Sequence, residues 1–526
     1  MRSQPFMTDI AVLGGGFGGC LIARILGSLG YRVTVFEQGS HPRFTIGESS
    51  TPIADCVLRD LCRRYGLNDL LPLTQYSSAK RMPNVVVGPK RGFTYIDSSN
   101  YQPGQQQVAE HEMLVAASTS LESADTHWHR ASVDQYFARS LEAAGIEAWE
   151  RTRVERVTRE NPSAPWELHI SRLDDPGESL CCRALGIIDA SGRGSPLGDS
   201  LALEPTVVGL RTRSGAIFGH VRDWVPLSEV IGGDHQTIGR HPYPMDQAAL
   251  HHVVDDGWLW QLAFDNSITS VGWCVAPEHL PRRGESRDAW WRQRLRRSPW
   301  LERQASSARR IEPQGDWALI ERMQFTRRRV AGAGWWMLPG AAGFIDPLHS
   351  SGIAHTMVSI ERLARAFEVQ PARRLPPLEF SDAYDATLRL EIEWLDRLVA
   401  ACYRALPRFG EFTTASMLYF AATVAFEQAR LGNEQLPANS ETSWQELPAF
   451  LKADDPRVVG AVSEADAILA NSASIQEPTG RTEGNATDGD AALRRAVAGA
   501  LAEINHAGLL AEATHPYYAH TAPGKP

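Results

Sequence analysis

Residues 10–37 read IAVLGGGFGGCLIARILGSLGYRVTVFE, and this stretch decides the fold of the chain. The short apolar run at residues 10–13 predicts a buried strand, and residues 20–29 carry apolar side chains at helical spacing. A second β-rich run at residues 33–36 ends at Glu37. The order of strand, glycine turn, helix, strand and acid predicts a βαβ unit that binds a dinucleotide.

The glycines of this stretch follow the G-x-G-x-x-G pattern at Gly14, Gly16 and Gly19. Gly14 permits a sharp turn after the strand, and Gly16 lets the backbone approach a pyrophosphate. Gly19 lets the helix pack close to the strand, and the helix N-terminus faces the negative charge. Glu37 is placed to accept hydrogen bonds from an adenosine ribose.

Length, net charge, cysteine spacing and apolar runs limit the kinds of protein that this chain can be. Its 526 residues suffice for about three domains of ~150 residues each. A net charge of −9 without a basic block argues against a nucleic-acid partner. The seven cysteines lack paired metal-ligand spacing, as is typical of reduced thiols in a cytoplasmic protein. The longest later apolar run, residues 415–426, falls short of the roughly 20 residues that span a bilayer, so we expect no membrane partner.

Two later segments return the chain to the predicted dinucleotide site. Residues 185–188 predict a buried strand that ends at Asp189 beside a glycine turn, where such a carboxylate commonly lies next to the cofactor. Residues 335–338 predict another strand, followed by a glycine-containing turn and a helix that ends near Phe367. Three glycine turns are therefore expected to surround one ligand.

The remaining segments predict a second sheet and a helical region. Residues 207–275 alternate strand-like runs with turn signals, which predicts an antiparallel sheet separate from the first. Residues 84–87 and 92–96 predict two more strands on either side of a Gly-Pro-Lys-Arg turn. Residues 380–430 show helical spacing, and the polar residues 475–490 predict a mobile loop.

These features resemble the FAD-dependent monooxygenases of the para-hydroxybenzoate hydroxylase type, over roughly residues 8–370. Within that group, four motifs resemble the flavin-dependent, tryptophan-halogenase-like halogenases. The motifs are Gly14-x-Gly16-x-x-Gly19 with Gly47-Glu48-Ser49, Lys90-x-Gly92 before Phe93 and Tyr95, Trp258-Leu259-Trp260, and Asp346-Pro347-Leu348-His349-Ser350-Ser351-Gly352.

The resemblance implies an α/β fold. A Rossmann-like FAD-binding domain is expected, with an inserted antiparallel β-sheet substrate domain and a helical C-terminal region. The implied boundaries are residues 8–80, 115–200 and 320–370 for the discontinuous FAD-binding domain, 81–114 and 201–319 for the substrate domain, and 371–526 for the C-terminal region.

The resemblance also implies an activity. A partner flavin reductase supplies reduced FAD, and dioxygen with chloride or bromide then yields hypohalous acid. That oxidant passes to Lys90 and halogenates an electron-rich aromatic compound, either a small molecule or a carrier-bound intermediate of secondary metabolism. A monomer or homodimer is expected.

The pattern and the resemblance together assign roles to named residues. Lys90 and His349 are the expected catalytic residues, and Trp258, Trp260 and Pro347 are expected along the path between flavin and substrate. The backbone amides of Ser351 and Gly352 are expected to hold halide. The expected cofactor-binding residues are Gly14, Gly16, Phe17, Gly19, Glu37, Glu48, Ser49, Arg130, Asp189 and Asp346.

Simpler interpretations of these residues stay open. Lys90 could be a solvated turn lysine, and the two tryptophans could form a core aromatic stripe. His349 could act as an acid or base, or be a hydrogen-bonded structural histidine. Arg130 could contact the pyrophosphate, or pair with Asp134 across one helical turn.

The chain departs from the resembled families at three places. Residues 262–263 are Leu-Ala where halogenases usually have Ile-Pro, and residues 340–341 are Gly-Ala where hydroxylase relatives usually have Gly-Asp. His349 stands where tryptophan halogenases have a glutamate that assists the lysine, so free tryptophan is not the expected substrate.

Two other functions are alternatives to halogenation, and two histidines raise the question of a metal site. An FAD-dependent monooxygenase that hydroxylates or epoxidises its substrate would need no halide, and a non-catalytic FAD-binding protein would need no substrate. His127 and His129 share one face of a predicted strand, but no cysteine or carboxylate nearby in the sequence completes a ligand set. The sequence therefore predicts no metal site.

Overall fold

The computed structural model describes residues 6–100, 111–116, 118–175, 179–231, 243–371, 373–434, 444–475, 486–510 and 517–518. Strands and helices alternate in the first part of the chain, and helices dominate after residue 350. The strands of the described ranges are Phe6–Leu13 (β1), Val33–Phe36 (β2), Val87–Lys90 (β3), Gly92–Asp97 (β4), Glu112–Ala116 (β5), Asp125–Trp128 (β6), Glu147–Trp149 (β7), Thr152–Thr158 (β8), Trp166–Arg172 (β9), Ser179–Asp189 (β10), Gly215–Arg222 (β11), Ala249–Val254 (β12), Gly257–Ala263 (β13), Ile268–Val275 (β14), Arg309–Glu312 (β15), Ala318–Ile320 (β16), Phe325–Thr326 (β17), Ala331–Gly332 (β18), Trp335–Met337 (β19), Gly343–Phe344 (β20) and Tyr517–Tyr518 (β21). The α-helices of the same ranges are Phe17–Ser28 (α1), Pro52–Tyr65 (α2), Tyr76–Ala79 (α3), Arg130–Ala143 (α4), Pro196–Ser200 (α5), Leu227–Val230 (α6), Arg287–Leu295 (α7), Pro299–Gln304 (α8), Pro339–Ala342 (α9), Ser351–Glu368 (α10), Leu378–Ala405 (α11), Phe409–Glu434 (α12), Pro456–Ile475 (α13) and Ala486–Ala500 (α14).

The first sheet has the parallel core that the opening stretch predicts. Its strand order is β18-β19-β10-β1-β2-β7, and β8 and β9 extend it from β10. β1 pairs in parallel with both β2 and β10, and residues 10–13 are almost fully buried. Burial on both faces explains why this strand reads as a continuous apolar run. The predicted βαβ unit is confirmed, with the strand beginning earlier, at Phe6.

The second sheet contains the four strands expected from residues 207–275. Its strand order is β15-β11-β14-β13-β12-β4-β5-β21, with β16 paired to β11. β11, β14, β13 and β12 are antiparallel neighbours, as predicted. The sheet is mixed rather than purely antiparallel, because β12 pairs with β4 in parallel. β4 comes from a segment far earlier in the chain, so no hairpin fixes its direction.

The predicted turn at residues 88–91 is wrong in part. Gly88, Pro89 and Lys90 belong to β3, which pairs with β6 in a separate two-stranded sheet. A Cβ at Gly88 would lie 1.9 Å from the carbonyl oxygen of Ala263, so the glycine serves a close strand contact rather than a turn. Pro89 is tolerated because a two-stranded sheet leaves edge positions where no donor is needed.

The helical region packs against the first sheet. α11 and α12 run side by side, and the predicted apolar stripe of α11 at residues 388–399 is buried. Within the predicted mobile loop at residues 475–490, residues 486–490 begin α14, and residues 476–485 lie outside the described residues. No helix of the described ranges has the length and hydropathy needed to cross a bilayer. The domain boundaries given above remain predictions.

Candidate functional site

A cavity of about 1240 Å³ opens at the carboxyl edge of the first sheet. The three glycine-containing turns after β1, β10 and β19 meet there, as the sequence predicts. The segment at residues 43–49, the mixed sheet and the start of α10 complete its walls. The predicted site residues that line this cavity are Gly14, Gly16, Phe17, Glu37, Glu48, Ser49, Arg130, Trp258, Trp260, Asp346, Pro347, Ser351 and Gly352. Gly19, Lys90, Asp189 and His349 lie behind its walls.

The first glycine turn is closed tightly by its own backbone. Gly14 has a φ of +100°, and a Cβ there would lie 2.6 Å from the carbonyl oxygen of Ala190. A Cβ at Gly19 would lie 2.0 Å from the carbonyl oxygen of Gly14. The nearest atom to a Cβ at Gly16 is 3.6 Å away, on Arg130. The turn thus presents the N-terminus of α1 and a bare backbone to the cavity.

Glu37 lies at the end of β2 and closes the adjacent wall. Its carboxylate accepts hydrogen bonds from the backbone N–H groups of Gly15 at 2.8 Å and Gly39 at 2.7 Å. Arg43 donates to it at 3.2 Å. Burial alone would raise the pKa of Glu37, but Arg43 and the two backbone donors outweigh burial and lower it. Glu37 is therefore an ionised acceptor at the place predicted for the ribose.

Arg130 pairs with Asp134, as one of the two interpretations of the sequence expects, and its contact with the pyrophosphate stays a prediction. Its guanidinium pairs with Asp134 at 2.7 and 2.9 Å, across one turn of α4. Its remaining amino group donates to the carbonyl oxygens of Ile46 and Gly47, both at 3.0 Å. The group also lies 4.7 Å above the ring of Phe17, and it lines the cavity. Arg130 therefore fixes the cavity wall while adding positive charge to it.

The residues of the cavity fit FAD. The cavity offers an open helix N-terminus at Gly16 and an ionised acceptor at Glu37 for the dinucleotide. Ser49 Oγ is buried in the wall and has no hydrogen-bond partner within the described part of the chain. A buried hydroxyl of this kind needs a polar partner, which a ligand supplies.

Asp346 lies in the third glycine turn and lines the cavity. One carboxylate oxygen accepts hydrogen bonds from Ser214 and Tyr403, both at 2.7 Å. The other accepts from the backbone of Leu348 at 3.1 Å. Burial raises the pKa of Asp346 to about 6, although all three hydrogen bonds oppose that shift.

Tyr403 is a site residue that the sequence analysis missed. It lies on α11, 57 residues from Asp346, and its hydroxyl also accepts a hydrogen bond from Trp258 Nε1 at 3.0 Å. The helical periodicity of its segment signals only a packed helix. Nothing in that pattern shows that one tyrosine reaches the third glycine turn.

The two tryptophans of β13 form one wall of the cavity. Their rings lie 6.1 Å apart on the same face of the strand, and both are buried. His251 on β12 continues this wall, 5.2 Å from the ring of Trp258. The tryptophans are part of the core and also face the cavity, so both interpretations of the motif describe the same wall.

Ser351 and Gly352 are the first two residues of α10 and face the cavity. The preceding Ser350 has a φ of +54°, which turns the chain sharply into the helix. The first N–H groups of a helix have no partner within the helix, so they are available to an anion. Pro347 lines the cavity beside them.

Lys90 is not a solvated turn lysine, because its side chain is completely buried. Its Nζ donates to the carbonyl oxygen of Ser50 at 2.6 Å and lies 3.9 Å above the ring of Phe93. Ser49, the residue before Ser50, lines the cavity. Lys90 therefore lies directly behind the cavity wall, in the protein interior.

Two histidines beside Lys90 are held neutral. Burial and the charge of Lys90 lower the pKa values of His127 and His251 to about 3. His251 stacks on Tyr95 with ring centroids 4.6 Å apart. The two imidazole rings beside Lys90 are therefore uncharged, and Asp125 is the residue paired with Lys90 between β3 and β6.

His349 is placed as a hydrogen-bonded structural histidine. Its Nδ1 lies 2.9 Å from the Tyr95 hydroxyl and its Nε2 lies 3.5 Å from Cys402 Sγ. Its ring stacks on Tyr419 at 4.4 Å, and burial, then His251, lower its pKa well below the usual value. This placement favours a role in positioning over proton transfer at the cavity.

Asp189 also lies behind the wall rather than on it. Its carboxylate accepts hydrogen bonds from Ser191 and Ser195. Burial raises its pKa, and the serine hydrogen bonds partly offset that effect. Asp189 shapes the second glycine turn, and residues 190–194 of that turn line the cavity.

Comparison with family models gives two matches. A model described as tryptophan halogenase matches residues 105–412, and one described as an NAD(P)-binding Rossmann-like domain matches residues 12–59.

Curated relatives extend over most of the chain. Monodechloroaminopyrrolnitrin halogenase PrnC of Pseudomonas fluorescens is 27% identical over 79% of this chain and 71% of its own length. Tetracycline 7-halogenase of Kitasatospora aureofaciens is 27% identical over 79% of this chain and 73% of its own length.

Solved structures share the fold. Halogenase PltM in complex with phloroglucinol and FAD superposes with a TM-score of 0.83 at 21% identity, covering 97% of this chain and 99% of its own. The myxobacterial chondrochloren halogenase CndH has a TM-score of 0.61 at 22% identity, covering 76% of this chain and 83% of its own.

Proposed function

The chain belongs to the tryptophan halogenase family and is an FAD-dependent halogenase, and from that premise we propose that Lys90 directs halogen onto an electron-rich aromatic substrate. The observation that carries this proposal is the placement of Lys90, whose Nζ is completely buried and bonded to Ser50, one residue beyond the cavity wall.

The cofactor is held by the first glycine turn, by Glu37 and by the wall that Arg130 fixes. When bound, FAD delivered in reduced form by a separate flavin reductase activates dioxygen for the oxidation of halide to hypohalous acid. The first turn of α10 offers backbone donors at Ser351 and Gly352, which suit chloride or bromide.

The aromatic wall keeps the organic substrate away from the flavin. Trp258, Trp260 and His251 line the cavity, and His251 also stacks on the ring of Phe93, over which Lys90 lies. A small uncharged oxidant can pass such a wall where an aromatic ring cannot. Direct oxygenation of the substrate is thereby suppressed.

Lys90 supplies the charge that activates the oxidant. Its ammonium can donate a hydrogen bond to the oxygen of hypohalous acid, which makes the halogen more electrophilic. His127 and His251 are neutral, so Lys90 is the cation among these three residues, and its burial strengthens its field. His349 and Tyr95 position the aromatic groups around it.

The substrate class follows from the relatives and from one departure. The relatives are named monodechloroaminopyrrolnitrin halogenase and tetracycline 7-halogenase, and PltM has been solved with phloroglucinol. His349 replaces the glutamate of the tryptophan halogenases. We infer that the substrate is a phenol or a pyrrole, either free or carrier-bound, rather than free tryptophan. We also infer that the protein is a monomer or a homodimer.

Mass spectrometry of product mixtures tests this function. A panel of phenols, pyrroles and indoles is incubated with the protein, FAD, a flavin reductase, NADH, oxygen and bromide. Lys90→Met removes the charge and keeps a similar side-chain length, and Lys80→Met is the matched control because Lys80 is exposed. We expect brominated products with wild type and Lys80→Met, and at least a hundredfold less with Lys90→Met.

The same mixtures discriminate the alternatives. Oxygenated products without bromine, formed equally by the Lys90→Met protein, would identify a monooxygenase and refute the assignment. Retention of FAD by all three proteins, measured by flavin fluorescence, ensures that lost product does not reflect lost cofactor.

A further inference from the structure

A second cluster of polar side chains lies behind the cavity wall and has no part in the proposed reaction. His129 precedes α4, His220 lies on β11 and Glu312 ends β15. One nitrogen or oxygen atom of each lies within 4.8 Å of the corresponding atoms of the other two. The three residues come from distant parts of the chain, so the fold alone brings them together.

His220 is oriented by Glu48. Its Nε2 lies 2.8 Å from Glu48 Oε1, and its Nδ1 lies 3.0 Å from Glu312 Oε2. A carboxylate that accepts the proton of one imidazole nitrogen is the usual outer partner of a metal-ligating histidine, and the other nitrogen can bind a metal once its own proton is lost. Two ligands on a tetrahedral zinc ion, each ~2.0–2.1 Å from it, lie roughly 3.3 Å apart, close to the observed 3.0 Å.

His129 points to a ligand independently. Its side chain is nine-tenths buried, and neither ring nitrogen has a hydrogen-bond partner within the described part of the chain. Its ring centroid lies 5.3 Å from that of His220. A buried imidazole without a partner is costly, and a bound cation would remove that cost.

We propose that His129, His220 and Glu312 bind one divalent cation of the zinc class. Two imidazoles and one carboxylate are the ligand set that zinc takes at sites that keep a fourth position for water. The side chain of Glu312 is 36% exposed, so a cation and its water reach the cluster from solvent. Binding displaces the proton that His220 Nδ1 otherwise shares with Glu312.

The cation would brace the wall of the FAD cavity. It would tie the start of α4 to β11 and β15, and through His220 to Glu48, which lines the cavity. Its role is therefore structural support of the segment at residues 43–49. This inference does not depend on the reaction proposed above.

Metal titration of the full chain tests the site without any assay of activity. Chelator-treated protein is titrated with Zn²⁺ by calorimetry, and with Co²⁺ by visible absorption, which reports nitrogen and oxygen ligation directly. We expect wild type to bind one equivalent that His129→Ala loses or binds at least a hundredfold more weakly. His279→Ala is the control, because His279 is an exposed histidine beside Asp256, and it should change that affinity less than twofold.

Two results would overturn the site. The first is equal binding by wild type and His129→Ala, which would assign the metal to surface histidines. The second is an absence of binding by wild type, which would leave the cluster as a protonated His220 between two carboxylates. Glu312→Gln gives a second check, since it should alter the Co²⁺ spectrum, and thermal melting shows whether each variant is folded.

Discussion

At the scale of single residues, the site contains ionisable side chains whose charged forms are destabilised by burial. Lys90 and Asp346 are both buried near the cavity, but their surroundings differ. Lys90 donates to the carbonyl oxygen of Ser50 and lies over the ring of Phe93, whereas Asp346 accepts from two hydroxyls and one backbone amide. Burial still raises the pKa of Asp346 to about 6, so its charge can be followed by titration.

Asp346 predicts a specific dependence of stability on pH. Its folded pKa of about 6 lies above the ~3.9 of an unfolded aspartate, so its contribution to stability is greatest below pH ~4 and falls as the pH rises to about 6. Asp346→Asn lacks this loss. We expect the free energy of unfolding of the variant, minus that of wild type, to rise by about 2 kcal/mol between pH 4 and 7.

Urea unfolding of FAD-free protein at several pH values measures that difference. Asp255→Asn, at an exposed turn, controls for the loss of one carboxylate. A variant-minus-wild-type difference for Asp346→Asn that stays constant across this pH range would contradict the burial argument.

Contacts within a short segment could be predicted from the sequence, whereas contacts between distant segments could not. The glycine pattern at Gly14 predicted the turn because its demands are local. Lys90 was placed in a turn because Gly88 and Pro89 are typical turn residues, whereas a close approach to Ala263 is what requires the glycine. Pairs such as Tyr403 with Asp346 form only when distant elements pack, so no local pattern signals them.

At the scale of elements, the close packing of α1 against the first glycine turn leaves no room for a side chain at Gly19. Gly19→Ala would place a methyl group 2.0 Å from the carbonyl oxygen of Gly14. We expect it to lower the free energy of unfolding by about 1–3 kcal/mol and to weaken FAD retention. Gly460→Ala, in α13 with open space at the Cβ position, should instead raise it by about 0.5–1 kcal/mol.

Denaturant unfolding and flavin fluorescence of the two alanine variants test this contrast. Similar effects of both substitutions on stability would show that the close contact between α1 and the glycine turn is not needed.

The contact between α10 and α11 depends on the buried carboxylate of Glu391. Glu391 accepts from Arg362 at 2.8 Å, from the backbone of Phe450 at 2.7 Å, and lies 3.0 Å from His355 Nε2. Burial opposes its ionisation, but Arg362 and His355 lower its pKa to about 2. Its charge is thus fully compensated inside the helical region.

Removing that carboxylate leaves a buried arginine without its partner. We expect Glu391→Ala to lower the free energy of unfolding by about 3–5 kcal/mol. Glu167→Ala breaks the surface pair with Arg183 and should cost less than about 1 kcal/mol. Urea unfolding compares the two variants, and a loss for Glu391→Ala no larger than that for Glu167→Ala would refute the role of the buried network.

At the scale of the whole molecule, the helical region and the first sheet share one core. Phe367 and Phe380 pack on Trp336 of β19, and the Tyr384 hydroxyl donates to the carbonyl oxygen of Met337 at 2.8 Å. Tyr403 of the same helix donates to Asp346, which lines the cavity, as do Ile392 and Leu395 of that helix. The helices are therefore part of the site rather than an appendage to it.

The whole-molecule arrangement also marks the limit of the sequence analysis. The parallel sheet, the four consecutive strands of the second sheet and the helical region were predicted correctly, because each has its own periodicity. The parallel pairing of β12 with β4 joins segments far apart in the chain. So does the meeting of His129, His220 and Glu312, which local spacing cannot show.

The central claim is that halide oxidation and halogen transfer are separate steps on opposite sides of the aromatic wall, and that Lys90 serves only the second. The most direct test measures both steps in one reaction. Hypohalous acid that escapes is trapped in solution by a soluble 1,3-diketone, and halogenated substrate is measured by mass spectrometry. For Lys90→Met the account predicts that trapped halogen is formed at a rate near that of wild type while halogenated substrate is lost. Loss of both products, with FAD retained, or survival of both would contradict it.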